Sequence, residues 1–283
     1  MKINAICVVK NEVDVIEETL LNAAEFCHRV YVFDNGSTDG TWEKIQLLAN
    51  ENREIEIAFH SGEVFKNQLR NRVYNKYHHL YSEDDWWYIL DGDEMLTESP
   101  EWRLEDAVEQ GKNAMHAWFA QFYFTDQDME NYFNEDLSAP VTERRRYYRV
   151  NWREVRFFRN HPKKNWPETL KGRIPSFCKK FHSDAPICRH YAERTPEQIK
   201  ARVKLREHNP FSFFHVRTKK DDFQWIRSSK DLFYYENDGE FEFPATDKFG
   251  FYKKELGHWF MWRWKNLMSI PHRLSRFVTS FSR

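Results

Sequence analysis

The amino-terminal part of the chain repeats one pattern, in which a short apolar run ends directly in polar residues. The apolar runs have the length of buried strands and lie at residues 3–9, 30–33, 54–59 and 86–90. Between them are segments whose apolar residues recur at helical spacing, at residues 13–26, 41–49 and 64–81. Strands that alternate with helices in this way predict an α/β fold, in which helices flank a mostly parallel sheet.

Polar clusters follow the first, second and fourth of these strands. Asn11 and Glu12 follow the first strand, residues 34–41 follow the second, and residues 91–94 follow the fourth. Neighbouring parallel strands end at the same edge of a sheet, and ligands of α/β proteins bind at that edge. We therefore expect the clusters to meet around one ligand.

The sequence Asp91-Gly92-Asp93 places two carboxylates one residue apart at the end of an apolar strand. Oxygen ligands of this kind suit Mg²⁺ or Mn²⁺, and such an ion can bridge a diphosphate. Gly92 allows the backbone to approach a ligand closely. The alternative interpretation is an acidic turn without a ligand, because short motifs also occur by chance.

The second cluster reads Asp34-Asn35-Gly36-Ser37-Thr38-Asp39-Gly40-Thr41. An aspartate at a strand end can accept hydrogen bonds from a base or a ribose, and the glycines allow a tight turn with exposed amides. The alternative is an ordinary loop between a strand and a helix, in which Asp39 or Thr41 caps the helix.

Bulk properties exclude some classes of protein. The formal net charge of −1 provides no positive field that would attract nucleic acid. Few cysteines, no signal peptide and no apolar stretch long enough to cross a bilayer predict a cytoplasmic protein. The aromatic fraction of 17% suits sugar stacking, a membrane interface or a large core.

The remaining chain shows fewer regular patterns. Residues 115–124 predict a further strand, and Thr195 is predicted to cap a helix that continues to about residue 206. Residues 253–283 combine tryptophan with lysine and arginine. That composition is typical of a helix lying on an anionic membrane, and a helix docked on the protein is the alternative.

Three segments together resemble a known family. The order and spacing of Val8-Val9-Lys10-Asn11-Glu12, the cluster from Asp34 to Thr41, and Asp91-Gly92-Asp93-Glu94 resemble family-two-type glycosyltransferases of the GT-A fold. The resemblance is strong over residues 3–100 and looser to about residue 206. It implies a nucleoside diphosphate sugar as donor, usually a UDP-sugar, and inversion of the anomeric centre by direct displacement.

The resemblance also implies roles for individual residues. It implies that Asp34 binds the nucleoside, that Arg70-Asn71 lies near the base and ribose, and that Asp91 and Asp93 hold Mn²⁺ or Mg²⁺. His190 resembles a family position that completes the metal shell. The predicted nucleotide-sugar site comprises Asn11, Glu12, Asp34, Asn35, Arg70, Asn71, Asp91 and Gly92.

An inverting displacement needs a base that takes the proton of the acceptor hydroxyl. Residues 165–170 resemble one branch of the family, although Pro167-Glu168 stands where that branch usually has His-Glu. Glu168 is the first candidate for the base. The rival carboxylates are Asp126, Asp128 and Glu154.

We therefore expect a metal-dependent, inverting glycosyltransferase that acts on a glycan, lipid-linked or surface-polysaccharide acceptor. Residues 1–206 are predicted to form the catalytic domain, with residues 1–100 as its donor half and residues 101–206 as its acceptor half. Residues 207–283 are predicted to form an extension, with peripheral membrane contact through residues 253–283. Aromatic side chains expected to form a platform for the acceptor are Trp118, Phe122, Tyr123, Tyr147, Trp152 and Trp166.

Three further interpretations stay open. Arg194 and Arg202 suit contacts with a diphosphate, or they belong to a solvated helix face. A nucleotidyltransferase also combines an α/β sheet with a carboxylate-bound metal, but Lys10-Asn11-Glu12 is not a glycine-rich phosphate loop. A glycan-binding or membrane-associated scaffold would use the aromatic residues and would leave the acids at the strand ends without a role.

Overall fold

Strands and helices alternate through the first part of the chain, as the apolar pattern predicts. The computed structural model describes residues 1–63, 65–66, 68–167, 173–207, 226–236 and 239–243. Its strands are β1 Ile3–Val9, β2 Arg29–Asp34, β3 Ile55–His60, β4 Trp86–Asp91, β5 Glu94–Leu96, β6 Ala114–Phe122, β7 Tyr147–Arg159, β8 Ile187–His190 and β9 Phe233–Tyr234. Its α-helices are α1 Ile16–Ala24, α2 Thr41–Glu51, α3 Gln68–Tyr77, α4 Glu101–Glu109, α5 Asp126–Asn131, α6 Val141–Arg144 and α7 Pro196–Glu207.

The strands of this part form one sheet in the order β3-β2-β1-β4-β7-β6-β8-β5, and β9 pairs with β7. The pairs β3–β2, β2–β1 and β1–β4 are all parallel. The sheet then becomes mixed, because β7 runs antiparallel to both β4 and β6. The predicted α/β class is therefore confirmed, with the parallel half lying where the sequence pattern places it.

Strand β1 lies between β2 and β4, and both of its faces are covered. All seven of its residues are buried, which is the pattern of a strand inside a parallel sheet. Alternate residues join two different apolar clusters, Ala5 and Cys7 in one, and Ile6 and Val8 in the other. The first cluster includes residues of α1, α2 and α4, and the second includes residues of α3. The helices therefore lie on opposite faces of the sheet.

Two predicted helices are shorter in the structure than their apolar patterns suggest. Helix α1 begins at Ile16 rather than at residue 13, because the amides of Val15 and Ile16 both bond to the carbonyl of Glu12 in a turn. Helix α3 ends at Tyr77, and a short 3-10 turn continues to Leu80.

The sequence pattern misses the long strand β7. Its thirteen residues, Tyr147–Arg159, carry arginines in both the inward and outward registers. A strand is recognised by apolar residues at every second position, which face the interior. One of the buried positions of β7 holds Arg156 instead, so the pattern is broken. The strand forms because β4 and β6 supply backbone partners on both sides and because acidic side chains neutralise that arginine.

The predicted cap of α7 is confirmed. The amide of Gln198 donates to the hydroxyl of Thr195 over 3.1 Å, and the helix begins at Pro196. Residues Met1–Glu242 form one compact unit, and Phe243–Arg283 are assigned to a second. The predicted boundary at residue 206 stays a prediction, and residues 253–283 lie outside the described part of the chain.

A search of the helices in the described ranges finds none that is both long enough and apolar enough to cross a membrane.

Asn160 connects β7 to the segment that precedes β4. Its buried amide group donates to the carbonyls of His78, Tyr81 and Ser82 over 2.9–3.0 Å. Its carbonyl accepts from the indole nitrogen of Trp87 over 2.9 Å. One side chain thus satisfies four polar groups at the amino-terminal end of the sheet.

Replacing Asn160 should destabilise the fold. We expect Asn160→Ala to lower the free energy of unfolding by about 2–4 kcal/mol, because the buried indole and three carbonyls lose their partner. Urea denaturation followed by circular dichroism measures the change. The exposed Asn134→Ala is the matched control, with an expected change within about 0.5 kcal/mol. Equal stability of the two variants would contradict this role of Asn160.

His116 on β6 should make stability depend on pH. Burial, reinforced by the charge of Arg153, lowers the pKa of His116 to about 4. The folded state thus resists protonation, so stability is full above the ordinary pKa near 6.5 and falls as pH drops below it. When the pH falls from 7 to 5, the free energy of unfolding of the unaltered protein should decrease by about 1–2 kcal/mol more than that of His116→Gln. The control His79→Gln, at an exposed position, should lose as much free energy of unfolding between pH 7 and pH 5 as the unaltered protein. An equal loss in His116→Gln and His79→Gln would contradict the prediction.

Candidate active site

The registers of β1 bring the predicted acids to one edge of the sheet. Val9 pairs with Asp34 on one side, and Val8 pairs with Asp91 on the other. Neighbouring strands lie about 4.8 Å apart, so the two aspartates are separated by about 10 Å across the end of β1. The sequence-based expectation that the acids lie on the same edge is therefore met.

Asp34 organises the loop that follows β2. Its buried carboxylate accepts hydrogen bonds from the amides of Gly36 and Ser37, each over 3.0 Å, and from the hydroxyl of Ser37. His60 at the end of β3 contacts the same carboxylate over 3.0 Å. Of the two interpretations of the cluster from Asp34 to Thr41, the strand-to-helix loop is present, but the N-cap of α2 is Gly40 rather than Asp39 or Thr41. Asp39 accepts from the amide of Thr41 over 3.0 Å, and the nucleoside role of Asp34 stays a prediction.

The turn after β1 is hydrogen-bonded to that loop. Asn11 has a φ of +56°, and its amide donates to the hydroxyl of Ser37 over 3.0 Å. The side-chain oxygen of Asn11 accepts from the amide of Thr38 over 2.8 Å. The amide of Glu12 donates to the hydroxyl of Thr41 over 2.9 Å. Two of the three polar clusters therefore form one rigid rim.

Two glycines allow this rim to be compact. Gly36 has a φ of +76°, and a Cβ added there would lie 2.8 Å from the Cα of Gly62. A Cβ added at Gly92 would lie 2.8 Å from a methyl carbon of Val9. Gly92 therefore lets the turn of Asp91 and Asp93 pack directly against the end of β1.

Two buried asparagines, Asn35 in the rim and Asn71 on α3, carry polar atoms without a partner among the described residues. Neither the oxygen nor the nitrogen of the Asn35 side chain is hydrogen-bonded. Asn71 donates to the carbonyl of Pro167 over 2.9 Å, while its side-chain oxygen has no partner. An unsatisfied buried polar atom costs about 1–3 kcal/mol, so these atoms are candidates for contacts with a polar ligand.

Asp91 is surrounded by guanidinium groups. Arg70 on α3 contacts one carboxylate oxygen, and Arg156 on β7 contacts the other over 3.1 Å. Arg173 lies 3.9 Å from the latter oxygen. Burial alone would raise the pKa of Asp91, but the arginines outweigh it and lower that pKa below its ordinary value. Asp91 is therefore a carboxylate held in its charged form.

Asp93 lies on the other side of the same turn and faces a different set of groups. Its buried carboxylate is 2.6 Å from Arg202, 3.5 Å from the Nε2 atom of His190 and 3.9 Å from Arg194. Burial alone would raise the pKa of Asp93, but Arg202, the contact with His190 and Arg194 outweigh it and keep that pKa well below its ordinary value. The structure thus brings the predicted metal residues Asp93 and His190 together.

Glu94 completes this group. Ligand atoms of Asp93, Glu94 and His190 all lie within 4.8 Å of one another. Burial raises the pKa of Glu94 to about 8, against the opposing effect of Arg156, which contacts its carboxylate. The Nδ1 atom of His190 is buried and has no partner among the described residues.

Arg194 ties the turn after β1 to the segment before α7. Its fully buried guanidinium contacts both carboxylate oxygens of Asp14 over 2.8 and 2.9 Å and also contacts Glu12. It donates to the carbonyl of Tyr191 over 2.7 Å. Arg194 is therefore a buried structural group, whereas Arg202 is partly exposed beside Asp93. The solvated-face interpretation fits neither arginine.

Sequence reasoning missed Arg156, Arg173 and Glu94. These residues surround Asp91, and Glu94 even lies within the polar cluster that the sequence analysis singles out. Arg156 directly precedes the aromatic pair Phe157-Phe158. A charged residue beside such a stretch was the available signal, but its partner on β4 could not be identified without the pairing of β4 with β7.

The candidate bases differ in what surrounds them. Glu168 lies outside the described residues. Asp128 forms a capping box with Thr125 at the start of α5, and Asp126 accepts from the amide of Ser229 over 2.9 Å. Those two aspartates serve local structure.

Glu154 is the rival that lies near Asp91. It is 3.4 Å from Arg156 and 2.5 Å from Arg173, which both also approach Asp91. Burial alone would raise the pKa of Glu154, but Arg156 and Arg173 outweigh burial and bring the pKa below its ordinary value. The carboxylate of Glu154 is therefore charged.

Part of the predicted acceptor platform belongs to the core. Phe122 and Trp166 are fully buried and pack within the apolar clusters. The prediction is wrong for these two residues, because their large aromatic side chains fill the protein interior instead of facing a ligand. Trp118 and Trp152 are only partly buried.

The chain is an α/β protein in which acids and arginines collect at the carboxyl edge of the parallel strands.

No family model and no curated protein matches the chain. Among solved structures, it is similar to S. aureus TarS 1–349 in complex with UDP, at 16% identity over 72% of this chain and 64% of that chain, with a TM-score of 0.42. It is also similar to the mannosyltransferase PcManGT from Pyrobaculum calidifontis in complex with GDP-mannose and Mn²⁺, at 14% identity, 73% and 61% coverage and a TM-score of 0.43. The chain thus spans less than two thirds of either protein. The site itself is defined by the registers and contacts of this chain.

Filling the space at Gly92 should disturb the turn of Asp91 and Asp93. We expect Gly92→Ala to lower the free energy of unfolding by about 1–3 kcal/mol, because the new Cβ collides with Val9. The double variant Gly92→Ala, Val9→Ala should lose less free energy of unfolding than the sum of the losses in the two single variants, because the smaller side chain at residue 9 makes room for the new Cβ. Urea denaturation of all variants measures this coupling, and strictly additive costs would show that the close contact is unimportant.

Proposed function

We propose that this chain is a glycosyltransferase that transfers a sugar from a nucleoside diphosphate sugar to an acceptor hydroxyl. The observation that carries the proposal is the pairing of β1 with Asp34 on one side and Asp91 on the other. This pairing collects a polar rim, two acids and several arginines at one edge of the sheet, which is where α/β proteins bind their ligands.

The nucleoside would bind over the rim between β1 and β2. The unsatisfied side chains of Asn35 and Asn71 offer donors and acceptors to a base or a ribose. Asp34 would act mainly through the loop that it holds, because the amides of Gly36 and Ser37 already occupy one of its oxygens. Asn11 fixes the same loop from the side of β1.

The residues around Asp93 fit a divalent cation. Asp93 and His190 supply one oxygen and one nitrogen atom, a pair that Mn²⁺ accepts more readily than Mg²⁺ does. When bound, such an ion neutralises the charge that develops on the leaving diphosphate. Asp91 stays a predicted ligand, and in the structure its oxygens contact Arg70 and Arg156 instead.

Arg202 would change partners when the donor binds. In the structure it neutralises Asp93 over 2.6 Å. A cation at Asp93 would compete with it for the same oxygen, and the freed guanidinium would lie beside the diphosphate, for which its planar geometry is suited. Arg202 therefore serves first as a counter-charge and then as a phosphate-binding group.

The acceptor would approach from the side of β6 and β7. Glu168 remains our first candidate for the base, and Glu154 is the alternative, because its charged carboxylate shares two arginines with Asp91. Inversion of the anomeric centre is part of the proposal and follows from direct displacement by an activated hydroxyl. We further propose that residues 253–283 bring the protein to the cytoplasmic face of a membrane, where lipid-linked acceptors lie.

Replacing Asp93 should remove catalysis and leave the fold. We expect Asp93→Asn to reduce the affinity for Mn²⁺ and the rate of nucleoside diphosphate release by at least about 100-fold, because the isosteric amide carries no charge. Isothermal titration with Mn²⁺ and UDP measures the affinity, and a panel of nucleotide sugars measures release. EDTA should abolish release by the unaltered protein.

The control is Asp231→Asn, an exposed aspartate near β9 that should keep full activity. Retained Mn²⁺-dependent release by Asp93→Asn would exclude the metal role of this residue. The products also separate the proposal from a nucleotidyltransferase, which would release pyrophosphate from a nucleoside triphosphate and form a nucleotide sugar.

A further inference from the structure

A pocket lies at the opposite end of the sheet from the candidate active site. It has a volume of about 340 Å³, and its lining includes Lys112, Arg159, His161, Lys164, Phe177 and Lys180. Arg159 pairs with Trp86, the first residue of β4, whereas Asp91 is the last residue of that strand. Five residues of an extended strand span about 17 Å, so this pocket is separate from the donor site.

The charge of the pocket is unbalanced. No carboxylate of the described residues lies within ion-pair distance of the ammonium groups of Lys112, Lys164 or Lys180, although many other basic side chains of the structure are paired. Arg159 is paired with Asp84 over 2.6 Å, and Glu83 is the only acid among the lining residues. Lysines collected in a concave surface repel one another and concentrate anions.

The walls of the pocket are held by hydrogen bonds. The side-chain oxygen of Asn113 accepts from the amides of Lys179 and Lys180 over 3.0 and 2.8 Å. The amide of Lys164 donates to the carbonyl of His161 over 3.1 Å, and the thiol of Cys178 lies 3.5 Å from the carbonyl of Arg159. The lysines therefore extend from a defined backbone around the pocket.

The size and the lining indicate the kind of ligand. A volume of about 340 Å³ is at the lower end of the range for small-molecule sites, enough for a phosphate group with one sugar or headgroup attached. The ammonium groups of Lys112, Lys164 and Lys180 have no carboxylate partner among the described residues and suit the oxygens of a phosphate. That of Lys164 lies 5.8 Å from the ring centre of Phe177. The half-buried ring of Phe177 offers an apolar face for the rest of the ligand.

We propose that this pocket binds the phosphate group of a phosphorylated sugar or of a phospholipid headgroup through Lys112, Lys164 and Lys180. Binding there does not depend on the proposed transfer reaction, because the pocket shares no residue with the rim around Asp34, Asp91 and Asp93.

Titration with inorganic phosphate tests the pocket itself. In EDTA and at low ionic strength, Lys164→Ala, Lys180→Ala together should weaken phosphate binding at least about tenfold, measured by isothermal titration calorimetry. The matched control removes two exposed lysines elsewhere, Lys200→Ala with Lys230→Ala, and should bind like the unaltered protein. Circular dichroism confirms that both double variants are folded.

Sedimentation with vesicles identifies the source of the phosphate. Binding to phosphatidylcholine vesicles that contain phosphatidylglycerol, lost in the variant lacking Lys164 and Lys180, would assign a lipid headgroup. Phosphate binding without vesicle binding would assign a soluble phosphorylated ligand.

The proposal is overturned if the unaltered protein binds no phosphate. It is also overturned if the pocket variant and the control variant bind phosphate equally.

Discussion

The structure depends on the position of β1 between two parallel strands, β2 and β4, that are far apart in the sequence. Because β2 lies on one side and β4 on the other, residues from distant parts of the chain end at one edge. Both faces of β1 are buried, so a shift of one residue would exchange its two sets of apolar side chains between different clusters. The packing of the core therefore fixes the register, and the register fixes the distance between Asp34 and Asp91.

Charge neutralisation is the second constraint on this edge. Asp91 and Asp93 are charged carboxylates on either side of a largely buried turn, and they would repel each other without counter-charges. Glu94 follows directly, and burial raises its pKa to about 8. Arg70 and Arg156 contact the side of Asp91 and Glu94, while Arg202 neutralises the side of Asp93, where His190 also lies within 3.5 Å. The two halves differ in chemistry, since the first is enclosed by two buried guanidiniums and the second is contacted by an imidazole and a partly exposed arginine. Exchange of ligands is therefore expected at Asp93.

The sequence predicts the parts of this structure whose interactions are local. Apolar runs that end in polar clusters indicate β1, β2 and β4, and Thr195 indicates the start of α7, because burial, turn chemistry and helix capping act over a few residues. Strand β7 and its Arg156 were not predictable in this way. A buried arginine in a strand is stable only through acids on β4 and the turn beyond it, and that pairing joins residues far apart in the chain. Glu168, the candidate base, lies outside the described residues, so its role rests on sequence alone.

The central claim is that a divalent cation and a nucleoside diphosphate bind together at the edge defined by Asp34, Asp91 and Asp93. A crystal structure with UDP and Mn²⁺, measured for anomalous scattering, tests it most directly. We expect a manganese peak about 2.0–2.3 Å from an oxygen of Asp93 and from the Nε2 atom of His190, with Arg202 turned towards the diphosphate. A manganese peak away from Asp93, or a nucleotide bound outside the rim of β1 and β2, would contradict it.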